Sequence, residues 1–343
     1  MSGATPFDAA NALGHGGAIE RLPVIDLRHF DFDDAGARQI AGEIDRAFTE
    51  IGFCYIADTG MPPDLIERLF AASAAFHAQP QAAKEALAIN AFHRGYMAPK
   101  TSLIVTSSVA KVTRPNNSES FMMMHEVSKD DPAWGKPLQG PNQWPAGLPG
   151  FRQTVTAYNA ALDGLARRLT RLVAGALGMP STGLDCYFEK PTTFLRLLHY
   201  PPQARDAAEE EFGSAPHTDY GFITILLQDA VGGLEVRQRD GGWLAATPIP
   251  KTFVVNVGDI LARWTNGRWQ STPHRVKNRS NVERYSAPFF YDPAMTTTMM
   301  TTTIKCLPAC LKHGEAARYE PIIYGDYLME RLDKNYQYRH SAG

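Results

Sequence analysis

Residues 215–229 read APHTDYGFITILLQD, and the reading of the fold starts from this stretch. His217 and Asp219 flank a single threonine, and a run rich in β-formers follows at once. In a strand, residues two apart point to the same face. An imidazole and a carboxylate at that spacing can share one metal ion at the lip of a strand.

A third ligand is expected from a different strand of a closed sheet. The best-placed candidate is His274 in WQSTPHRV, which follows a hairpin signal and begins another strand. Two histidines and one carboxylate on one side of a metal make the facial triad of non-haem Fe(II) oxygenases, with open positions for O2 and a cosubstrate. Ten residues further on, RYS places Arg284 and Ser286 two apart. A guanidinium takes a carboxylate in a forked grip, and a hydroxyl adds a third bond. That predicts a dicarboxylic cosubstrate with one end on the metal and the other on Arg284 and Ser286. The plainer alternative is that Arg284 pairs with Glu283 or another surface acid. Each tripeptide alone is common by chance; the weight lies in their order and spacing within one β-rich region.

The region from 192 to 292 alternates short β-rich runs with turns: TTFLRLLHY, GFITILLQ, GLEVRQ, GWLAAT, TFVVNVG, RWQST and RYSAPFFY. RDGG (239–242) and TNGR (265–268) carry the Asp-Gly and Asn-Gly hairpin signals. Many short strands at this spacing predict a sandwich or barrel, of which a jelly roll is one closure.

Upstream, RLPVIDLRHF (21–30) suits an edge strand, and Asp33 and Asp34 offer an N-cap. Ile40, Ile44, Phe48 and Ile51 then recur at helical spacing up to Gly52. FCYIA (53–57) reads as a buried strand, and Pro63 opens a helix that turns Leu65, Leu69 and Phe76 inward. Residues 79–150 read as irregular apart from a strand in SESFMMM (118–124). The clearest helix is 151–178, ended by Gly178 and Pro180. The tail from 311 to 343 reads as partly helical. The expected organisation is a flexible lead (1–20), an α/β region (21–150), a helix with the β core (151–310) and the tail.

The chain has 343 residues, 44 % hydrophobic and 20 % charged, with a net charge of −2. This is a soluble globular composition, without the basic footprint of a nucleic-acid binder or a polybasic run for a membrane surface. No apolar stretch reaches the length of a membrane span, and the N-terminus lacks the pattern of a signal peptide. Cys54, Cys186, Cys306 and Cys310 are too few for a disulfide framework, so a reduced, cytoplasmic setting is expected.

Several motifs occur together in a known order. HTD (217–219), VGGLEV (231–236), FVVNVGDILARWTNG (253–267), STPHRV (271–276) and RYSAPFFYDP (284–293) resemble the iron- and 2-oxoglutarate-dependent oxygenases of the isopenicillin N synthase-like family. LPVIDL, GFCYIADTG and HRGY are similar to that family's amino-terminal region, so the resemblance runs from about residue 20 to 330. It implies an α+β fold with a mainly β core, a double-stranded β-helix or jelly roll flanked by helices. It implies His217, Asp219 and His274 as ligands of Fe(II), with Arg284 and Ser286 at the distal carboxylate of 2-oxoglutarate. Tyr200 matches a tyrosine that also contacts the cosubstrate, whereas Leu198 stands where many relatives carry asparagine. The implied activity uses O2 to oxidise, most simply to hydroxylate, a small organic molecule, with release of succinate and CO2. An oxidase of the same fold that dispenses with 2-oxoglutarate, or a non-catalytic jelly-roll binding protein, are the alternatives.

Candidate substrate contacts are less determined. Arg196 shares a strand face with Tyr200 and is either a cation near the ligands or half of a structural ion pair. Tyr220 and Phe290 line the pocket or pack in the core. Arg94, next to His93 in FHRGY, lies near the mouth of the site or anchors a loop. FMMM (121–124) is a soft pocket wall or ordinary core. Asn256, Gly258 and Asp259 read as turn-shaping residues.

Overall fold

The computed structural model describes residues 19–28, 35–204, 206, 208–295, 302–336 and 339. The N-terminal lead up to residue 18 and the Asp33–Asp34 cap lie outside the described residues.

In chain order, the first half comprises β1 (Val24–Asp26), α1 (Ala35–Glu50), β2 (Phe53–Ala57), α2 (Pro63–His77), α3 (Gln81–Glu85), β3 (Gly95–Met97), β4 (Glu119–Met124) and α4 (Phe151–Ala176). The second half comprises β5 (Thr192–Tyr200), β6 (Ser214–His217), β7 (Ile223–Gln228), β8 (Leu234–Arg237), β9 (Trp243–Ala245), β10 (Thr252–Val257), α5 (Asp259–Trp264), β11 (His274–Val276), β12 (Arg284–Asp292), β13 (Thr303–Ile304), β14 (Ile322–Ile323) and α6 (Tyr324–Asn335).

A large sheet runs β1-β2-β10-β7-β12-β5-β4-β3, and a small one runs β6-β11-β8-β9. β1 is the edge strand that its proline-led sequence predicts. All five residues of β2 are buried because both faces of the large sheet are covered. Cys54 and Ile56 belong to the core shared with the helices, whereas Phe53 and Tyr55 belong to a second core with Leu234, Val236 and Val276 of the small sheet. Two packed sheets with flanking helices make the expected jelly roll. α4 packs against both α1 and α2. Its buried stripe of Val155, Tyr158, Leu162, Leu165 and Leu169 is the one read from the sequence.

Four expectations need correction. Besides β4, the stretch 79–150 holds the short helix α3 and the strand β3, which pairs with β4. TNGR does not close a hairpin: it follows α5, and Asn266 and Gly267 take positive φ (56° and 77°) to terminate that helix. RWQST is not a strand, and pairing begins only at His274. β6 ends at His217, so Asp219 stands in the turn beyond it rather than on the strand.

Candidate metal centre and its two cavities

The triad is nonetheless assembled. His274 opens β11 directly opposite His217 on β6, and the two rings lie 4.3 Å apart between centroids. Asp219 Oδ1 lies 3.7 Å from Nε2 of His217 and 3.7 Å from Nε2 of His274. One ligand atom from each residue falls within 4.8 Å of the others, a spacing that fits a single metal ion.

The unused atoms are held by the protein, which aims the free ones inward. His217 Nδ1 bonds the Ala215 carbonyl (2.8 Å) and His274 Nδ1 bonds the Thr272 carbonyl (3.2 Å), leaving both Nε2 atoms as donors to a metal. Asp219 Oδ2 accepts from Thr224 Oγ1 (2.5 Å) and Asn256 Nδ2 (2.8 Å), leaving Oδ1 toward the histidines. Burial and the neighbouring charge of His274 push the His217 pKa down to about 4, against the pull of Asp219. Burial alone would raise the Asp219 pKa, but the two histidines and its two side-chain hydrogen bonds outweigh this and lower it. A neutral imidazole beside an ionised carboxylate is the protonation state that ligates a divalent cation.

The turn that carries Asp219 is fixed from below. The first backbone N–H groups of α5 and its cap reach back to it: Asp259 N donates to Asp219 O, Ile260 N to Gly221 O and Gly258 N to Phe222 O, all at 2.8–2.9 Å. A Cβ on Gly258 would stand 2.2 Å from the Gly221 oxygen, so this approach needs glycine.

Two cavities, of about 630 and 550 Å³ counting the space open to solvent, share His217, Asp219, Arg196 and Phe290 in their walls and so meet at the triad. The first contains Arg284, Ser286, Tyr200 and Leu198. Arg284 is fully buried; its Nε donates to the Gly232 carbonyl, its Nη1 lies 3.4 Å from Ser286 Oγ, and its guanidinium stacks 4.5 Å over the Tyr200 ring. Its Nη2 is buried with no hydrogen-bond partner among the described residues. Leaving such a donor unmade is costly, and an incoming carboxylate would satisfy it. The suggested pairing of Arg284 with Glu283 does not occur; Glu283 bonds His199. Leu198 offers only hydrocarbon to this cavity.

The second cavity is lined by His93, Met122, Phe194, Tyr220, Leu328, Leu332 and Tyr336 besides the shared residues. Arg196 donates from Nη2 to Ser120 Oγ (3.0 Å) and makes no ion pair among the described residues. Phe290 is half-buried there, whereas Phe289 packs in the core. Of the FMMM run, only Met122 reaches the cavity wall. Arg94 lines neither cavity: its Nη atoms donate to the carbonyls of Phe92 (2.7 Å), Leu138 (3.0 Å) and His125 (2.8 Å), so it anchors loops. Gly258 and Asp259 shape the turn as read, but Asn256 lies in β10 rather than in a turn, and it and Thr224 bond Asp219 itself, a role the sequence reading misses. The signal for Thr224 and Asn256 is a lone polar residue inside an apolar strand. For the α6 residues Leu328 and Leu332, sequence alone carries no comparable signal.

A jelly roll that gathers two histidines and a carboxylate beside a buried, half-satisfied arginine defines a non-haem iron oxygenase. Residues 191–293 match the model of the 2OG-Fe(II) oxygenase superfamily, and residues 22–147 match that of the non-haem dioxygenase in morphine synthesis N-terminal region. The 2-oxoglutarate-Fe(II) type oxidoreductase hxnY of Emericella nidulans is 34 % identical over 324 residues, covering 92 % of this chain and 90 % of that protein. A 2-oxoglutarate-Fe(II) type oxidoreductase of Aspergillus fumigatus is 33 % identical over 319 residues, with 90 % and 92 % covered. A full-length Neurospora crassa protein, crystallised in complex with alpha-KG (2-oxoglutarate) and thymine, superposes with a TM-score of 0.80 at 30 % identity, covering 94 % of this chain and 98 % of that one. The chain belongs to the 2OG-Fe(II) oxygenase superfamily. It is a 2-oxoglutarate-dependent oxygenase that uses Fe(II), which sets aside both the oxidase that dispenses with 2-oxoglutarate and the non-catalytic binding protein. Among the described residues, no helix is long and apolar enough to cross a membrane.

Proposed function

We propose that His217, Asp219 and His274 hold Fe(II), that Arg284, Ser286 and Tyr200 hold the distal carboxylate of 2-oxoglutarate, and that the second cavity receives a compact substrate for hydroxylation. The observation that carries this reading is the buried, unpartnered Nη2 of Arg284 in the wall of the cavity that also contains the triad. Fe(II) with 2-oxoglutarate supplies O2 activation and C–H oxidation, with CO2 and succinate as coproducts.

The protein's own contribution is positional. Thr224 and Asn256 keep one carboxylate oxygen of Asp219 turned away from the metal. Arg284 neutralises the remote end of the cosubstrate and fixes its length direction. Phe290, Phe194, Tyr220, Met122 and Leu332 offer an aromatic and apolar wall that excludes water from the substrate. Arg196 adds one cationic donor to that wall. Together they favour a small, flat or mostly apolar molecule with one acceptor group, carbonyl or carboxylate, placed on Arg196. Thymine, bound by the Neurospora crassa relative, is likewise small and flat and offers carbonyl acceptors.

The test is an anaerobic titration of 2-oxoglutarate into the Fe(II) protein, followed by succinate release over a panel of small carbonyl and carboxylate compounds. A metal-to-ligand charge-transfer band is expected in the native protein, and in Arg284→Met only at 2-oxoglutarate concentrations about 30-fold or more higher. Arg196→Gln is expected to raise the substrate KM and leave 2-oxoglutarate affinity within about twofold, as for loss of a neutral-equivalent contact. A native protein that shows no band at millimolar 2-oxoglutarate overturns the assignment of Arg284.

A further inference from the structure

α6 faces two ways. Leu328 and Leu332 line the substrate cavity, while three other side chains of the same helix tie it to the triad's support. At its start, Tyr324 donates to Asp292 Oδ2 (2.8 Å), and Asp292 Oδ1 accepts from the backbone N–H of Phe222 (2.8 Å). One turn on, Tyr327 donates to Asp259 Oδ2 (2.8 Å); Asp259 donates its N–H to the carbonyl of Asp219 and accepts from Ser271 at Oδ1 (2.6 Å). Ser271 leads into the strand that opens with His274. At its end, Asn335 donates to the hydroxyl of Tyr220, the residue after Asp219, over 2.6 Å and accepts from the N–H of Val105 (2.9 Å). Asn335, Asp292 and Tyr324 are buried, where an unmade hydrogen bond is costly.

We propose that α6 is thermodynamically coupled to the metal centre: its docking stabilises the ligand-bearing turn at 217–222, and metal in the triad stabilises its docking. This rests on the metal assignment proposed above. Tyr327 and Asn335 are positioning residues, acting on Asp219 through Asp259 and Tyr220. The three links end on Phe222, on Asp219 itself and on Tyr220, so α6 cannot lift away without releasing the turn that presents the carboxylate. Linkage makes the effect reciprocal: whatever factor α6 docking adds to metal affinity, metal adds to α6 docking. Because Leu328 and Leu332 also wall the cavity, the helix that senses substrate is the one that steadies the ligand.

The probe is Co(II) alone, bound to the full apo-protein. Amide hydrogen exchange is measured across α6 with and without Co(II), and Co(II) affinity and visible spectrum are measured for Tyr327→Phe and Asn335→Ala. Slower exchange in residues 328–335 on Co(II) binding is expected, together with about 5- to 10-fold weaker Co(II) binding in each variant, in the range of allosteric couplings. Thr170→Val, which removes a buried hydrogen bond to the Ala166 carbonyl within α4, controls for general destabilisation and is expected to leave Co(II) affinity unchanged. Protection confined to residues 214–224 and 272–276 with α6 unaffected overturns the coupling while leaving the metal site standing. Unchanged Co(II) affinity in both variants also overturns it. Failure of the native protein to bind Co(II) overturns the metal assignment and the coupling together.

Discussion

Asn256 donates from Nδ2 to Oδ2 of Asp219 over 2.8 Å, tying the end of β10 to the carboxylate of the triad. Thr224 on the neighbouring β7 donates to the same oxygen, and the register places Asn256 directly opposite Thr224. Two adjacent strands thus orient one carboxylate. Removing a partner of a metal-ligating group typically costs 10- to 100-fold in metal affinity. Asn256→Ala is therefore expected to weaken Fe(II) or Co(II) binding by about 10-fold or more. Thr224→Val is expected to do the same by a smaller factor, since Asn256 remains. Equilibrium dialysis with Co(II) reads both, and an unaltered affinity in Asn256→Ala would show that the bond does not orient the ligand.

Arg284 and Tyr200 differ in what they are expected to contribute. The guanidinium is buried with a free Nη2, so truncating it removes the only fully buried cation facing that end of the cavity among the described residues. Losing one partner of a buried charged pair costs about 2–5 kcal/mol. Arg284→Met should raise the Kd for 2-oxoglutarate by about 30-fold or more, and Arg284→Lys should recover little because a point charge does not reproduce the fork. Tyr200 stands 3.5 Å from Ser286 Oγ, a weak contact, and Tyr200→Phe should cost about 1 kcal/mol or about fivefold. Charge-transfer titrations under argon rank the three; equal losses in Tyr200→Phe and Arg284→Met would contradict the assignment.

The pieces that are legible in the sequence are those whose chemistry forces both residue type and spacing. His217, Asp219, His274, Arg284 and Ser286 fall in this group, and so do α1, α4 and the strands β2, β5, β7, β10 and β12. What escapes depends on contacts made elsewhere in the chain. α5 is only six residues long, too short for a periodic signal, and its Asn-Gly exit mimics a hairpin turn. Arg94 reads equally as a ligand or an anchor until Leu138 and His125 bring carbonyls to it from a distant loop. The amphipathic pattern of α6 shows that one face is covered, but not that Leu328 and Leu332 cover a substrate cavity. Asp219 is expected on a strand and stands past its end; the convergence holds because α5, not strand pleating, fixes the turn.

Stability should fall as the apo-protein is acidified from pH 6.5 toward 4. Burial pushes His77 down to about 4, as burial and the charge of His274 do for His217, and burial also depresses His93 and His125. For each of these the unfolded chain binds more protons than the folded one between the two pKa values, so stability is present above about 6.5 and lost as pH falls. His199 and Asp292 work the other way. Burial would lower His199, but bonds to Glu119 and Glu283 raise it, so its contribution is present below 6.5 and lost as pH rises. Burial raises Asp292 to about 7, and the neutral acid likewise favours the folded state as pH falls below that value. Four depressed histidines against these two leave a net loss in acid, to which His77 and His217 each contribute up to about 2 kcal/mol between pH 7 and 5. Thermal unfolding at the two pH values checks this. His77→Phe, which keeps the ring packing against Phe76, should shrink the difference, and an unchanged difference would remove His77 from the account.

Gly221 is fixed by space rather than by backbone angle. A Cβ there would lie 1.5 Å from Oδ1 of Asp292, and that carboxylate cannot step aside without breaking its bonds to the Phe222 N–H and the Tyr324 hydroxyl. Forcing extra volume into a packed site costs about 1–3 kcal/mol and more where the neighbour is pinned. Gly221→Ala should therefore lower the Tm by several degrees and weaken Co(II) binding, since the same turn carries Asp219. Asp292→Ala relieves the clash while losing the two hydrogen bonds, so it is also destabilising alone. In the double variant the clash no longer exists, and its cost should fall short of the sum of the two single costs by about 1–3 kcal/mol, the size of coupling between residues in contact. Chemical denaturation of the four proteins measures that coupling. Strict additivity would mean that the turn accommodates an alanine by some other movement and that Asp292 does not set its position.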